Sequence, residues 1–169
     1  MSTTQIIFGI LTVAMSGVVT ALVMFRLNAR REDRQFRRQR LEHLFRAYVG
    51  FCRQLGIHWM PYESVMTGSV DYNQAQRQVI AGGKDERRNF DEIEMLIAIY
   101  WPELRPHLEE VIKVRDQGSR VIANHKRRYE AGQTQDEESF LAMKSAIEKL
   151  GDIEVAFAKA VRDEASKLA

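Results

Sequence analysis

Four histidines, one cysteine and one glycine pair are the residues of this chain that chemistry would most readily use. The histidines are His43, His58, His107 and His125. A di-iron helical bundle needs Glu-x-x-His on two helices and a glutamate on two more. No Glu-x-x-His occurs here. Glu103 and His107 stand four apart, on one face of a helix, but any charged helix offers such pairs. Surface or capping roles are expected for the histidines, and no metal site is predicted. Cys52 stands alone, so it can form neither an intramolecular disulfide nor a zinc site by itself. It falls on an apolar helical stripe, which suits a small core residue better than a nucleophile. Gly82-Gly83-Lys84 lacks the upstream glycine and the Ser/Thr of a phosphate loop. No GxSxG, HExxH or EF-hand pattern is present. The expectation is a protein without catalytic residues, cofactor or metal.

The elements that would position any site are helices. No stretch alternates with period two. Three prolines, Pro61, Pro102 and Pro106, leave few interruptions. Leu41, Leu44, Phe45, Tyr48, Cys52 and Leu55 recur at three- and four-residue steps, one face of a helix. Gly56 to Pro61 reads as a break, with Gly56 as a cap and Pro61 as a restart. Helices are expected near 41–55, 62–81, 85–101, 102–130 and 136–168. Their short connections suit an antiparallel bundle of about four helices. Pro102 should kink or restart its helix. Tyr100-Trp101-Pro102 and the corner at Trp59 form the most distinctive aromatic clusters. Trp59, Tyr100 and Trp101 are therefore candidates for a partner surface. The competing reading is that they fill the gap where helices meet at an angle.

Residues 6–25 organise the rest. They read IIFGILTVAMSGVVTALVMF and carry no charge before Arg26. Twenty helical residues span about 30 Å, the hydrocarbon thickness of a bilayer. A single transmembrane helix is expected, with an anchor over 1–25. A cleaved signal is not expected, because MSTTQ is uncharged and the apolar run is too long. Seven arginines lie in 26–40 and none in 1–5. That asymmetry puts the N-terminus outside and the domain in the cytoplasm, at the cell (inner) membrane. Nothing in 26–40 stops the helix, so one helix should run from about residue 4 to 55. Gly9, Thr12, Ser16, Gly17 and Thr20 bring small and hydroxyl residues to neighbouring stripes of the span. They would serve a helix-packing face, although such residues also bond their own backbone.

Net charge is +2, yet residues 26–55 hold nine arginines against three acidic residues, a balance of +6. Residues 56–169 hold sixteen basic and twenty acidic residues, a balance of −4. Arg26, Arg30, Arg31, Arg34, Arg37 and Arg38 are placed to meet anionic lipid head groups. The mildly acidic remainder argues against nucleic acid as a ligand. The architecture expected is all-α: an anchor, a basic juxtamembrane helix over 26–40, and a cytoplasmic bundle over 41–169. Its expected role is a non-enzymatic interaction or regulatory module that recruits a protein partner or a second copy at the membrane. The alternative is a holin- or toxin-like membrane effector, in a defence or lysis system, assembling through its span. No small-molecule substrate is identifiable.

Overall fold

The computed structural model describes residues 3–82 and 86–168, with side chains at 20–81 and 90–168. Among the described residues the chain is all-α, with five helices and no strand. They are α1 (Thr3–Met66), α2 (Tyr72–Gly82), α3 (Glu86–Tyr100), α4 (Arg105–Glu130) and α5 (Glu137–Lys167). A single 3₁₀ turn, Pro102–Leu104, joins α3 to α4. Among the described residues no helix is long and apolar enough to cross a membrane. Most of the span predicted over 6–25 falls on side chains outside the described residues.

α1 corrects the predicted break at Gly56–Pro61: the helix runs through it to Met66. Pro61 removes the N–H that would bond the carbonyl of Ile57, at a usual cost of about 3 kcal/mol. Here that turn faces solvent, since Ile57 and Met60 are both more than half exposed. The opposite face holds Leu55, Trp59, Val65 and Met66 in the core. Continuous packing on that face outweighs the local penalty. Gly56 has open space where a Cβ would stand, so it is an ordinary helical residue.

The helix ends where glycine permits a left-handed residue. Gly68 has φ +75°. Its N–H bonds the Val65 carbonyl, and Ser69 N–H bonds that of Ser64, each at 2.9 Å. α4 ends in the same way at Gly132, with φ +95°. There Gly132 N–H reaches Tyr129 and Gln133 N–H reaches Arg128. Both are Schellman closures that satisfy the last carbonyls of a helix. Asp71 opens α2 by a reciprocal box: Gln74 N–H donates to its carboxylate at 2.8 Å, and Asp71 N–H donates to the Gln74 side chain at 3.2 Å.

Cross-helix contacts give the direction of each helix. The Tyr48 hydroxyl donates to the His107 carbonyl at 3.0 Å. The Trp59 ring lies where a Cβ on Gly118 would come within 2.5 Å of it. Both pairs share one sequence offset, so α4 runs parallel to α1. α5 runs back: Asp136 N–H donates to the Met66 carbonyl, Phe157 stacks on Tyr48 at 3.7 Å, and Leu168 ends beside Arg31 and Arg38. α2 and α3 descend the other side of α1, with Phe51 against Phe90 and Phe36 against Tyr100. The core is the shared interior of these columns, centred on Tyr48, Trp59, Ile97, Val111 and Phe157. Trp59 and Trp101 are 1% and 3% exposed, which overturns their assignment to a partner surface. They fill the angled helix junctions instead.

Candidate functional site

Two parts of the molecule are not absorbed by this core. The first is the exposed half of α1. Every side chain from residue 20 to 40 is exposed, and among the described side chains the first buried one is Leu41. Leu22, Val23, Met24 and Phe25 follow one another and are 51–72% exposed. At 100° per residue they cover all sides of the helix, not a stripe. Beyond them stand the predicted lipid contacts Arg26, Arg30, Arg31, Arg34, Arg37 and Arg38, all exposed. Arg31, Arg34 and Arg38 line a groove of about 510 Å³ with Gln35 and Leu168. Asp33 is 3.9 Å from Arg37. The Arg40 guanidinium lies over the Phe36 ring, whose edge meets Tyr100. Of the predicted span-packing residues, Gly9, Thr12, Ser16 and Gly17 lie outside the described side chains, and Thr20 is exposed.

The second is a cleft between α2 and α4, near the end of α1 that carries Met66. The two helices stand apart, and the Tyr72 side chain bridges them. Tyr72 begins α2 and leans across to α4. Its hydroxyl is 3.0 Å from His125 Nδ1 and 3.3 Å from the Ile122 carbonyl. Its ring stacks on His125 at 5.6 Å, meets Tyr129 edge-on at 5.0 Å, and tilts against Tyr62 at 5.9 Å. These rings border a cavity of about 340 Å³. Asn73 and Gln76 of α2 and Lys126 and Glu130 of α4 form its rim. Lys126 Nζ stands 3.9 Å from Glu130. Burial pushes the Tyr72 phenol up to about 12, so it is uncharged at neutral pH.

His125 corrects the expected surface role, because it is fully buried. The Tyr72 hydroxyl has one proton for two acceptors. If it goes to Nδ1, His125 keeps its proton on Nε2 as a buried donor. If it goes to Ile122, Nδ1 donates to the Tyr72 oxygen and Nε2 is a bare acceptor. Either way Nε2 has no partner. Burial pulls the imidazole below its ordinary value, and neighbouring Arg128 adds to this against the opposing pull of Asp136. Beside it, Arg128 bonds Asp136 at 2.9 and 3.0 Å. Asp136 also caps α5 through Ser139 N–H at 3.1 Å and the Ser139 hydroxyl at 2.7 Å. Burial alone would raise the Asp136 carboxyl, but Ser139 and Arg128 together hold it below the usual carboxylate range.

The remaining chemistry-bearing residues are occupied structurally. Cys52 is buried and burial pushes its thiol up to about 12, unsuited to a nucleophile. His43 meets Glu92 at 2.7 Å. His107 packs edge-on against Phe157, and no hydrogen bond or ion pair joins it to Glu103. Among the described residues no three His, Cys, Asp or Glu side chains gather as a metal site. Sequence reasoning missed the cleft, because Tyr62, Tyr72 and Tyr129 come from three helices. The Asp71-x-x-Gln74 capping pattern was the one local signal that a helix starts beside it. No family model, curated protein or solved structure matches the chain.

Proposed function

We propose that the chain is a single-pass membrane module whose span, residues 6–25, continues as a rigid helix into a cytoplasmic bundle of four helical columns that recruits a partner. It does so without catalysis. The observation that carries this reading is the run Leu22–Val23–Met24–Phe25, exposed on every side of an unpacked helix. A helix apolar on all sides suits either the centre of a large protein core or a lipid surround, and no described helix packs around these four residues. The arginines that follow favour the cytoplasmic side.

Helical rise turns this reading into heights. From Phe25 to Leu41 is about 24 Å of helix. The head-group layer adds roughly 5–8 Å beyond the hydrocarbon. Arg26 and Arg30 therefore lie within that layer, and Arg31 stands at its outer edge. Arg34, Arg37 and Arg38 stand above it, at distances where salt screening over about 8 Å weakens attraction. Between Arg26 and Val49 there is neither glycine nor proline, so rotation of the span would pass undamped into the bundle.

Three measurements test the proposal. Removing residues 1–25 should abolish membrane sedimentation while the bundle stays helical. Reporter fusions should place the C-terminus in the cytoplasm, and an external C-terminus would overturn the orientation. Two glycines at Asn28 and Ala29 should uncouple span from bundle without changing insertion. Partner recovery from membranes that is unaffected by them would reduce the stretch to a tether.

A further inference from the structure

The proposal above assigns no role to the tyrosine cleft, and its geometry points to one that stands independently of the membrane reading. We propose that the cleft between α2 and α4 is a binding site for a small organic cation of the alkylated-ammonium class, held over the faces of Tyr62, Tyr72 and Tyr129.

Three features select this class. The rings are inclined to one another, Tyr72 to Tyr129 by 69° and Tyr62 to Tyr72 by 53°. Tyr72 is in contact with both of the others, so its ring leaves no parallel slot beside it for a flat heterocycle to slide into. Inclined phenol faces are the arrangement that surrounds a compact cation, whose attraction is to the negative face of each ring. Charge agrees with this. Glu130 closes the cleft on the last turn of α4, where the helix dipole is negative. The resident Lys126 holds Glu130 only at 3.9 Å, on an exposed rim, so a better-placed cation can replace it. The third feature is the set of free acceptors. The carboxamides of Asn73 and Gln76 line the cleft and make no hydrogen bond among the described residues. Their oxygens can meet the hydroxyl or polarised methyl groups such ligands carry. A cavity of about 340 Å³ sits at the lower end of ligand-site volumes and fits a small molecule.

Tyr72 is the positioning member of the set. Its hydroxyl is held by His125 and the Ile122 carbonyl, and His125 stacks behind its ring. The face turned to the cavity is thereby fixed before any ligand arrives, which lowers the ordering cost of binding.

The test uses the full chain in maltoside micelles, with choline as probe and 3,3-dimethylbutan-1-ol as its uncharged isostere. Binding is read by calorimetry and by ring resonances of labelled tyrosine. Choline should bind saturably and shift the three cleft tyrosines, with the isostere weaker by roughly tenfold. Tyr129→Leu should weaken choline by roughly fivefold or more through loss of one ring. Glu130→Gln, a change on the exposed rim that leaves the fold alone, should weaken choline and leave the isostere unchanged. Tyr62→Phe keeps a ring and should retain binding. Equal affinity for choline and its isostere would overturn the proposal, as would shifts confined to other tyrosines or the absence of saturable binding.

Discussion

Residues 20–40 and 41–66 of α1 belong to one unbroken helix, yet they meet opposite surroundings. The first stretch is exposed throughout, and its apolar residues Leu22–Phe25 are consecutive. The second buries Leu41, Leu44, Tyr48, Cys52, Leu55 and Trp59, at steps of three or four. Residues 26–40 are dominated by arginine, so the apolar residues of the first stretch are concentrated in 22–25. The two apolar sets differ in spacing. A period of 3.6 makes a stripe that other helices can cover, and it was met by α3, α4 and α5. An unbroken run makes a cylinder that no set of helices in this chain covers. The spacing of apolar residues, together with their number, decides what kind of neighbour a helix takes.

Paired substitutions sharpen the contrast. Phe157→Ala removes a ring stacked on Tyr48 in the core and should cost about 3–5 kcal/mol, read by denaturant melting of the bundle. Phe25→Ala in the exposed stretch should leave the same melt within about 0.5 kcal/mol. Comparable losses would break the distinction. Glycines give a second pair. A Cβ at Gly118 would strike the Trp59 ring, so Gly118→Ala should cost about 1–3 kcal/mol by overpacking. Gly56→Ala meets open space within α1 and should instead stabilise by about 0.5–1 kcal/mol. Between these in size is the cap of α5. Asp136→Ala loses the Ser139 bonds and leaves Arg128 with Glu138 alone, and a loss of about 1–2 kcal/mol is expected in the same melts.

The smallest effect is a pH dependence that belongs to the bundle alone. The folded His125 titrates below its ordinary 6.5, so the unfolded chain binds the proton first as pH falls. Stability is therefore complete above about pH 6.5 and declines as pH drops toward the folded value. Asp136 has the same sign at lower pH: its contribution is present above 3.8 and is lost as pH falls through its depressed folded value. In His125→Phe the decline that starts near pH 6.5 should vanish, while the one belonging to Asp136 persists. A parallel pH profile for the variant and the unsubstituted chain would remove His125 from this role.

Much of the helical plan was legible without coordinates. The stripe from Leu41 to Leu55, the start of α5 at Asp136 and the restart at Pro102 all rest on local rules: period, capping and the missing proline N–H. Where local rules disagreed with packing, packing prevailed. Pro61 and Gly56 signalled a break, but the buried face through Trp59 to Met66 carried α1 across it. The Trp59 and Trp101 rings, read as candidates for a partner surface, went inside because only the assembled helices show which gap an aromatic fills. His125 went inside for the same reason.

Composition and order alone determined that the chain is helical and that charge and apolar runs are segregated along it, since both follow from each residue and its near neighbours. Only the tertiary structure brought Tyr62, Tyr72 and Tyr129 to one cleft and set a glycine against Trp59. Those arrangements depend on how α1, α2 and α4 are offset along each other. That register is decided by the shapes of side chains far apart in sequence, and no local pattern encodes it.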